Sequence, residues 1–175
     1  MRLFLGISLT EEAVNCLEDC SYGLADVRWS GAERLHLTLQ FLGEIGAPTR
    51  EEMIEVLQQI RLEPFALQIQ GMGLWQVKAN TGIIYAGIEK SPELLVLQKQ
   101  IAYRLSHIGI QGRGKKYFPH ITLARYSGEK VMGMDEYVSS QAEKLSCHLP
   151  VENFHLYSSQ LHKDGSIYKI LETFF

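Results

Sequence analysis

Two copies of one short pattern, set far apart, constrain this chain more than any other feature. Residues 36–43 read HLTLQFLG and residues 120–127 read HITLARYS. Their histidines, His36 and His120, lie 84 positions apart in a chain of 175 residues, close to half its length. Each copy follows a strand-like and then a helix-like stretch, and each is followed by a helix-like stretch and two strands. The segment PFALQIQG from Pro64 has a loose counterpart in PVENFHLY from Pro150. A shared order of elements around both copies points to duplication. The expected architecture is two similar βα lobes facing each other, with a motif-bearing strand in each.

Local periodicity supplies the elements. Residues 2–9 read as a strand, and Thr10 followed by Glu11 and Glu12 reads as a helix N-cap with acids in the first turn. That helix runs to about Cys20. Residues 34–41 alternate as a strand should. Pro48, with Thr49 and Glu52 spaced as a capping box, opens a helix to about Ile60. Residues 65–75 and 82–89 read as strands, and Ser91-Pro92-Glu93 starts a helix to about His107. A glycine-rich basic loop at 109–118 precedes a strand at 119–125 and a weaker helix at 134–144. The chain closes with strands at 151–161 and 166–174, joined through Lys163-Asp164-Gly165, a hairpin signal.

Composition narrows the function classes. Apolar residues make up 46% and charged residues 21%, an ordinary globular balance that excludes wholesale disorder. A chain of this length can bury a core without a disulfide or a metal. No apolar run approaches the roughly 20 residues that span a bilayer. Residues 1–9 carry no cleavage-site pattern and read as a first strand, so a cytoplasmic protein without membrane attachment is expected. The net charge of −3 argues against coating long nucleic acid, which calls for a basic face, but leaves a small phosphate site open. The three cysteines, Cys16, Cys20 and Cys147, follow no framework spacing and are expected as reduced thiols. Cys16 and Cys20 lie four apart and could pair as half a metal site, but read better as two small apolar residues on one helical face.

In a strand, alternate side chains share a face. His36, Thr38 and Gln40 therefore fall on one face, opposite Leu37, Leu39 and Phe41. His120 and Thr122 fall opposite Ile121 and Leu123. The Leu/Ile face is the natural core face, so the imidazole and hydroxyl project toward the cleft. One such strand would be an amphipathic strand with a polar outer face; two copies in matched contexts point to function. An imidazole titrates near pH 6.5, so one histidine of a pair can hold a proton while the other is free. Such a pair supplies a general acid and a general base across a reacting centre. Threonine hydroxyls can hold the non-bridging oxygens of a phosphate. No Asp/Glu cluster of the kind a two-metal site uses flanks either motif, and His155 or His162 lacks the spacing of a zinc ligand. Neither a metal nor a cofactor is expected.

These residues carry a family resemblance. HLTL at 36–39 and HITL at 120–123 resemble the paired motifs of the two-histidine (2H) phosphoesterases. RLFLGISL at the start, VRW at 27–29, LHLTLQFLG at 35–43 and FPHITLAR at 118–125 make the chain most similar to RNA 2′,3′-cyclic phosphodiesterases, once called 2′-5′ RNA ligases. The resemblance runs essentially the full length. It implies an α+β fold, a single bilobal domain over residues 1–175 with antiparallel sheets around a central cleft. It implies opening of a ribonucleoside 2′,3′-cyclic phosphate at an RNA end or on a nucleotide; a monomer is expected. By the same resemblance His36 protonates the departing 3′-oxygen, His120 takes a proton from the attacking water, and Thr38 and Thr122 hold the phosphate. Symmetry between the motifs does not decide which histidine is which.

Phe41 and Arg125 stand at the same offset, five residues past each motif histidine. A ring and a guanidinium can sandwich a base, and the resemblance assigns both to the terminal nucleotide. Strict alternation puts both on the core face, so that role requires a bulge, a twist or a strand end. An unpaired arginine is rarely buried, which favours a substrate contact for Arg125; for Phe41 the core is an equal reading. Arg113, Lys115 and Lys116 could steer an RNA end or simply be solvated. Tyr117 and Phe118 could stack on RNA or fill the core. His107, His148, His155 and His162 have no motif around them and read as structural or surface residues. Two other functions remain open on the sequence: a nucleotide- or RNA-end-binding module without turnover, and hydrolysis of ADP-ribose 1″,2″-cyclic phosphate.

Overall fold

The computed structural model describes residues 1–25, 27–78, 81–112, 114, 116–127, 133–163 and 165–175. The order of elements is β1 (Arg2–Ser8), α1 (Glu11–Glu18), β2 (Val27–Trp29), a 3-10 turn (Ala32–Arg34), β3 (His36–Glu44), α2 (Ala47–Leu57), β4 (Phe65–Lys78), β5 (Thr81–Ile88), α3 (Pro92–His107), β6 (His120–Ser127), α4 (Met134–Ala142), β7 (Ser146–Val151), β8 (Phe154–His162) and β9 (Gly165–Phe174). Helix starts follow their capping chemistry. Thr10 accepts from the Ala13 amide and Ser91 from the Leu94 amide. At α2 the capping box is not used: the helix begins at Ala47 behind Gly46, with no side-chain cap. Pro48, preorganised for the first turn, draws the start upstream and leaves Thr49 and Glu52 inside the helix.

The strands form one antiparallel sheet in the order β7-β4-β5-β6-β3-β1-β8-β9, with β2 added beside β6. The two motif strands, β3 and β6, are neighbours at its middle and meet at one register pair, Leu37 with Ile121. The duplication is real, but the lobes are not the two halves of the chain. Strand β4 ends the first repeat yet pairs with β5 of the second. Strand β8 ends the second repeat yet pairs with β1 of the first. Each lobe therefore contains a strand lent by the other repeat. The strand expected at 151–161 is β8, which starts only at Phe154, and it is preceded by an additional strand, β7, because β7 pairs in one lobe and β8 in the other.

The core lies between the helices and one face of the sheet. Leu37, Leu39, Ile121 and Leu123 are buried there with Leu17 of α1, Met53 and Leu57 of α2, and Ile101 and Leu105 of α3. A second cluster joins Met134 and Val138 of α4 to Ile84 and Ala124. Gly6 of β1 is required by a close approach, because a Cβ there would come within 2.9 Å of the Leu37 carbonyl. Among the described residues no helix is long and apolar enough to cross a membrane.

The cysteines correct the sequence expectation. Cys16 of α1 and Cys147 of β7 are joined in a disulfide, with Cα atoms 6.4 Å apart, and Cys20 is the buried free thiol. The spacing could not reveal this, because α1 is brought onto β7 only by tertiary packing. The bridge closes a span of 131 residues, and losing such a cross-link typically costs about 2–5 kcal/mol. Thiol titration of the unreduced, denatured protein should count one reactive cysteine, and Cys147→Ser should lower the urea midpoint by an amount that reductant reproduces in the unaltered protein. Three titratable thiols would show the bridge absent.

Candidate active site

The register of the motif strands builds the site. Across the Leu37–Ile121 pair, one step in either direction sets His36 beside Thr122 and Thr38 beside His120. Residues flanking such a pair on the same face of the pleat point the same way, and all four line one groove. Two imidazoles and two hydroxyls thus form a four-cornered cluster on the face away from the helices.

Both imidazoles are aimed by the same local device. His36 Nδ1 lies 2.7 Å from the Arg34 carbonyl, and His120 Nδ1 lies 2.8 Å from the Phe118 carbonyl. A carbonyl can only accept, so each Nδ1 carries the hydrogen and each Nε2 is left for the groove. Each ring also sits among three aromatic neighbours. Phe4, Tyr168 and Tyr157 surround His36 at 4.8, 5.1 and 6.1 Å between centroids. Trp75, Phe118 and Tyr85 surround His120 at 5.7, 5.7 and 5.8 Å. The enclosure around His36 removes water from its charged form and lowers its pKa; the Arg34 carbonyl opposes this, while His120 and Arg125 add to the lowering. Tyr117 is half-buried, and the loss of water around its hydroxyl raises its pKa. Its hydroxyl donates to the Thr38 carbonyl at 3.1 Å and ties the segment before the second motif to the first.

Each motif strand carries a bulge at the equivalent place. Leu5 pairs with Gln40 while Gly6 pairs with Thr38, so Leu39 is an extra residue in β3. Ile84 pairs with Ala124 while Tyr85 pairs with Thr122, so Leu123 is the extra residue in β6. The insertion reverses which face the following residues take. Phe41 and Arg125, which strict alternation sends to the core, are exposed, and both line the groove. The face expected for Gln40 is corrected for the same reason. Gln40 is 7% exposed and turned inward, and neither polar atom of its amide has a hydrogen-bond partner among the described residues.

The groove has a volume of about 730 Å³ and gathers His36, Thr38, Phe41, His120, Thr122 and Arg125. It also takes in Arg2, Arg28, Arg34, Trp75 and Tyr168, which sequence reasoning did not select. VRW at 27–29 was a signal for Arg28, but β2 is too short to announce itself by periodicity. Arg34 pairs with Glu33 at 3.2 Å. Among the described residues the lining contains no aspartate or glutamate, so a chain of net charge −3 holds a cationic groove. Arg113 and Lys115 lie outside the described residues, and Lys116 is exposed. Phe118 is exposed against Trp75 and Tyr85. His155 is buried, bonded to Ser8 through Nε2 and Thr173 through Nδ1, each at 3.0 Å, and stands apart from the groove lining. His107 bonds to the Tyr103 carbonyl, and His148 and His162 are exposed. Among the described residues no three metal-ligating side chains converge.

The depressed pKa values of His36 and His155 fix a sign for acid stability. Below about pH 6.5 the unfolded chain protonates both rings while the folded chain resists. Stability is therefore full above that pH and is lost as the solution is acidified toward and through the folded-state values. Proton-detected titration should find the His36 midpoint below 6.5 in the empty groove and rising when inorganic phosphate binds. A midpoint at or above 6.5 in the empty groove would contradict the enclosure described for that ring.

The family model described as LigT-like phosphoesterase matches residues 9–85 and 87–168. The RNA 2′,3′-cyclic phosphodiesterase of Thermotoga maritima is 30% identical, over 98% of this chain and 93% of its own. That of Archaeoglobus fulgidus is 28% identical over 99% of each. The crystal structure of Escherichia coli LigT complexed with 3′-AMP superposes with a TM-score of 0.80 at 25% identity, covering 99% of this chain and 96% of that one.

Proposed function

Since this chain belongs to the LigT-like phosphoesterase family, we propose that it is an RNA 2′,3′-cyclic phosphodiesterase. It opens the terminal cyclic phosphate to a 2′-phosphate and a free 3′-hydroxyl, with no metal ion. The observation that carries this reading is the histidine pair, each Nδ1 held by the carbonyl two residues upstream and each Nε2 left for substrate. The T. maritima and A. fulgidus relatives bear the name of this activity, and the E. coli relative has been crystallised with a nucleotide phosphorylated at the 3′-position.

In the proposed reaction the hydroxyls of Thr38 and Thr122 hold the non-bridging oxygens of the cyclic phosphate. Nε2 of His120 takes a proton from water as its oxygen bonds to phosphorus. The bond from phosphorus to the 3′-oxygen breaks, and Nε2 of His36 delivers the proton that oxygen needs. Phe41 offers a face to the terminal base, and Arg125 contacts the terminal nucleotide beside the histidine pair. The lowered pKa of His36 favours a second reading with the roles exchanged, because in the empty groove His36 rests neutral, as a base should. An arriving phosphate anion opposes that lowering, so the first assignment is retained as the proposal. Action as a cytoplasmic monomer completes it; the Cys16–Cys147 bridge stands against that compartment, where disulfides are uncommon.

The direct experiment is turnover of short RNAs ending in 2′,3′-cyclic phosphate, with the position of the product phosphate mapped. Binding without product would leave a non-catalytic end-binding module, and preference for ADP-ribose 1″,2″-cyclic phosphate would reassign the substrate. Activity should survive EDTA; complete loss restored by one divalent ion would sink the mechanism. His36→Ala and His120→Ala should each cost on the order of 10²–10⁴-fold in rate, and the double variant less than the product of the two. A substrate whose leaving group needs no proton should rescue His36→Ala far more than His120→Ala, and the opposite pattern would establish the exchanged roles. Arg125→Ala, at an exposed position, should keep the fold while reducing kcat/KM by roughly tenfold or more, the effect of a charge-assisted contact.

A further inference from the structure

We propose that Arg28 and Arg125 together form a second phosphate subsite, which takes the phosphodiester joining the terminal nucleotide to the one before it. The chain then acts on oligonucleotide ends in preference to mononucleotides. This deepens the proposed function and rests on it.

Strand β2 pairs with β6 so that Arg28 lies directly opposite Arg125. Opposed residues of an antiparallel pair share a face, and like charges so placed are destabilising. The arrangement therefore costs stability unless an anion joins it. Both side chains are exposed and both line the groove. Among the described residues neither makes an ion pair with a carboxylate, and the groove lining has no carboxylate to offer. The segment bearing Arg28 is a built element. Ser30 donates its amide to the Leu123 carbonyl at 2.7 Å, at the bulge of β6, and Trp29 packs on Tyr137 at 6.0 Å. Two guanidiniums held side by side by backbone pairing present forked donors that match the two free oxygens of a phosphodiester.

Position relative to the histidines selects the occupant. The charge of Arg125 is felt at His36, so Arg125 borders the catalytic cluster, and Arg28 lies one strand further along the sheet. With the cyclic phosphate at the histidine pair, the next anion on an RNA strand is the diester on the 5′-oxygen of the same nucleotide. A 5′-monophosphate would present the same chemistry from a different source.

The test compares kcat/KM on three substrates: a nucleoside 2′,3′-cyclic phosphate with a free 5′-hydroxyl, the same compound with a 5′-phosphate, and a trinucleotide ending in the cyclic phosphate. In Arg28→Ala, shown by circular dichroism to be folded, the ratio of trinucleotide to 5′-hydroxyl compound should fall about tenfold or more. Arg28→Lys should retain part of it. The slope of log kcat/KM against log salt on the trinucleotide should become shallower by about 0.7, the loss of one phosphate contact on a single strand. An unchanged ratio and slope would overturn the subsite. A ratio for the 5′-phosphate compound that falls as far as the trinucleotide's would overturn the preference for oligonucleotides. Should the unaltered protein turn over none of the three, the proposed function fails by itself. Anisotropy-measured binding of a trinucleotide ending in a 3′-phosphate would then decide the subsite, with equal affinity in the unaltered protein and Arg28→Ala overturning it.

Discussion

The pairing of Leu37 with Ile121 is the contact on which the remainder of this structure depends. It joins the two motif strands at the centre of the sheet, and both residues are fully buried. Their burial holds the strand faces in place, so the alternation of the pleat turns His36, Thr38, His120 and Thr122 together to the other side. Side chains built on paired strands need little help from loops to stay aligned. The two carbonyls that fix Nδ1 of each histidine come from the segments entering those same strands, so the tautomer and the position have one structural source.

The paired bulges show how a regular strand is made to serve two faces. Before the extra residue the core takes Leu37 and Ile121; after it the core takes Gln40 and Ala124, and Phe41 and Arg125 turn outward. The same insertion that presents a ring and a guanidinium to the groove buries a glutamine amide with no hydrogen-bond partner among the described residues. An unsatisfied buried amide costs on the order of 1–3 kcal/mol, a local expense of the bulge that turns Phe41 outward.

Electrostatics follows the same division. The chain is acidic overall, yet four arginines line the groove without a carboxylate among its described lining residues. In a concavity the low-dielectric walls focus such a field, which favours anions near the histidine pair. The surroundings of His36 also lower its pKa, so a groove lined with cationic side chains holds one of its two histidines back from protonation.

Much of this was legible in the residues alone. The repeated H-x-T pattern, the Leu/Ile core face, the caps at Thr10 and Ser91, and the candidate site of His36, Thr38, His120 and Thr122 all follow from local periodicity and side-chain chemistry, which act within a few residues. The rest depends on pairings between distant segments. Which lobe receives β4 and β8, that Cys16 meets Cys147, that Leu39 and Leu123 are extra residues, and that Arg28 stands opposite Arg125 are all matters of register. A one-residue change of register exchanges the faces of a strand without altering its sequence. Local chemistry along the chain selects the residues able to act; which of them face the same groove is settled by long-range pairing, because the partner strand sets the register.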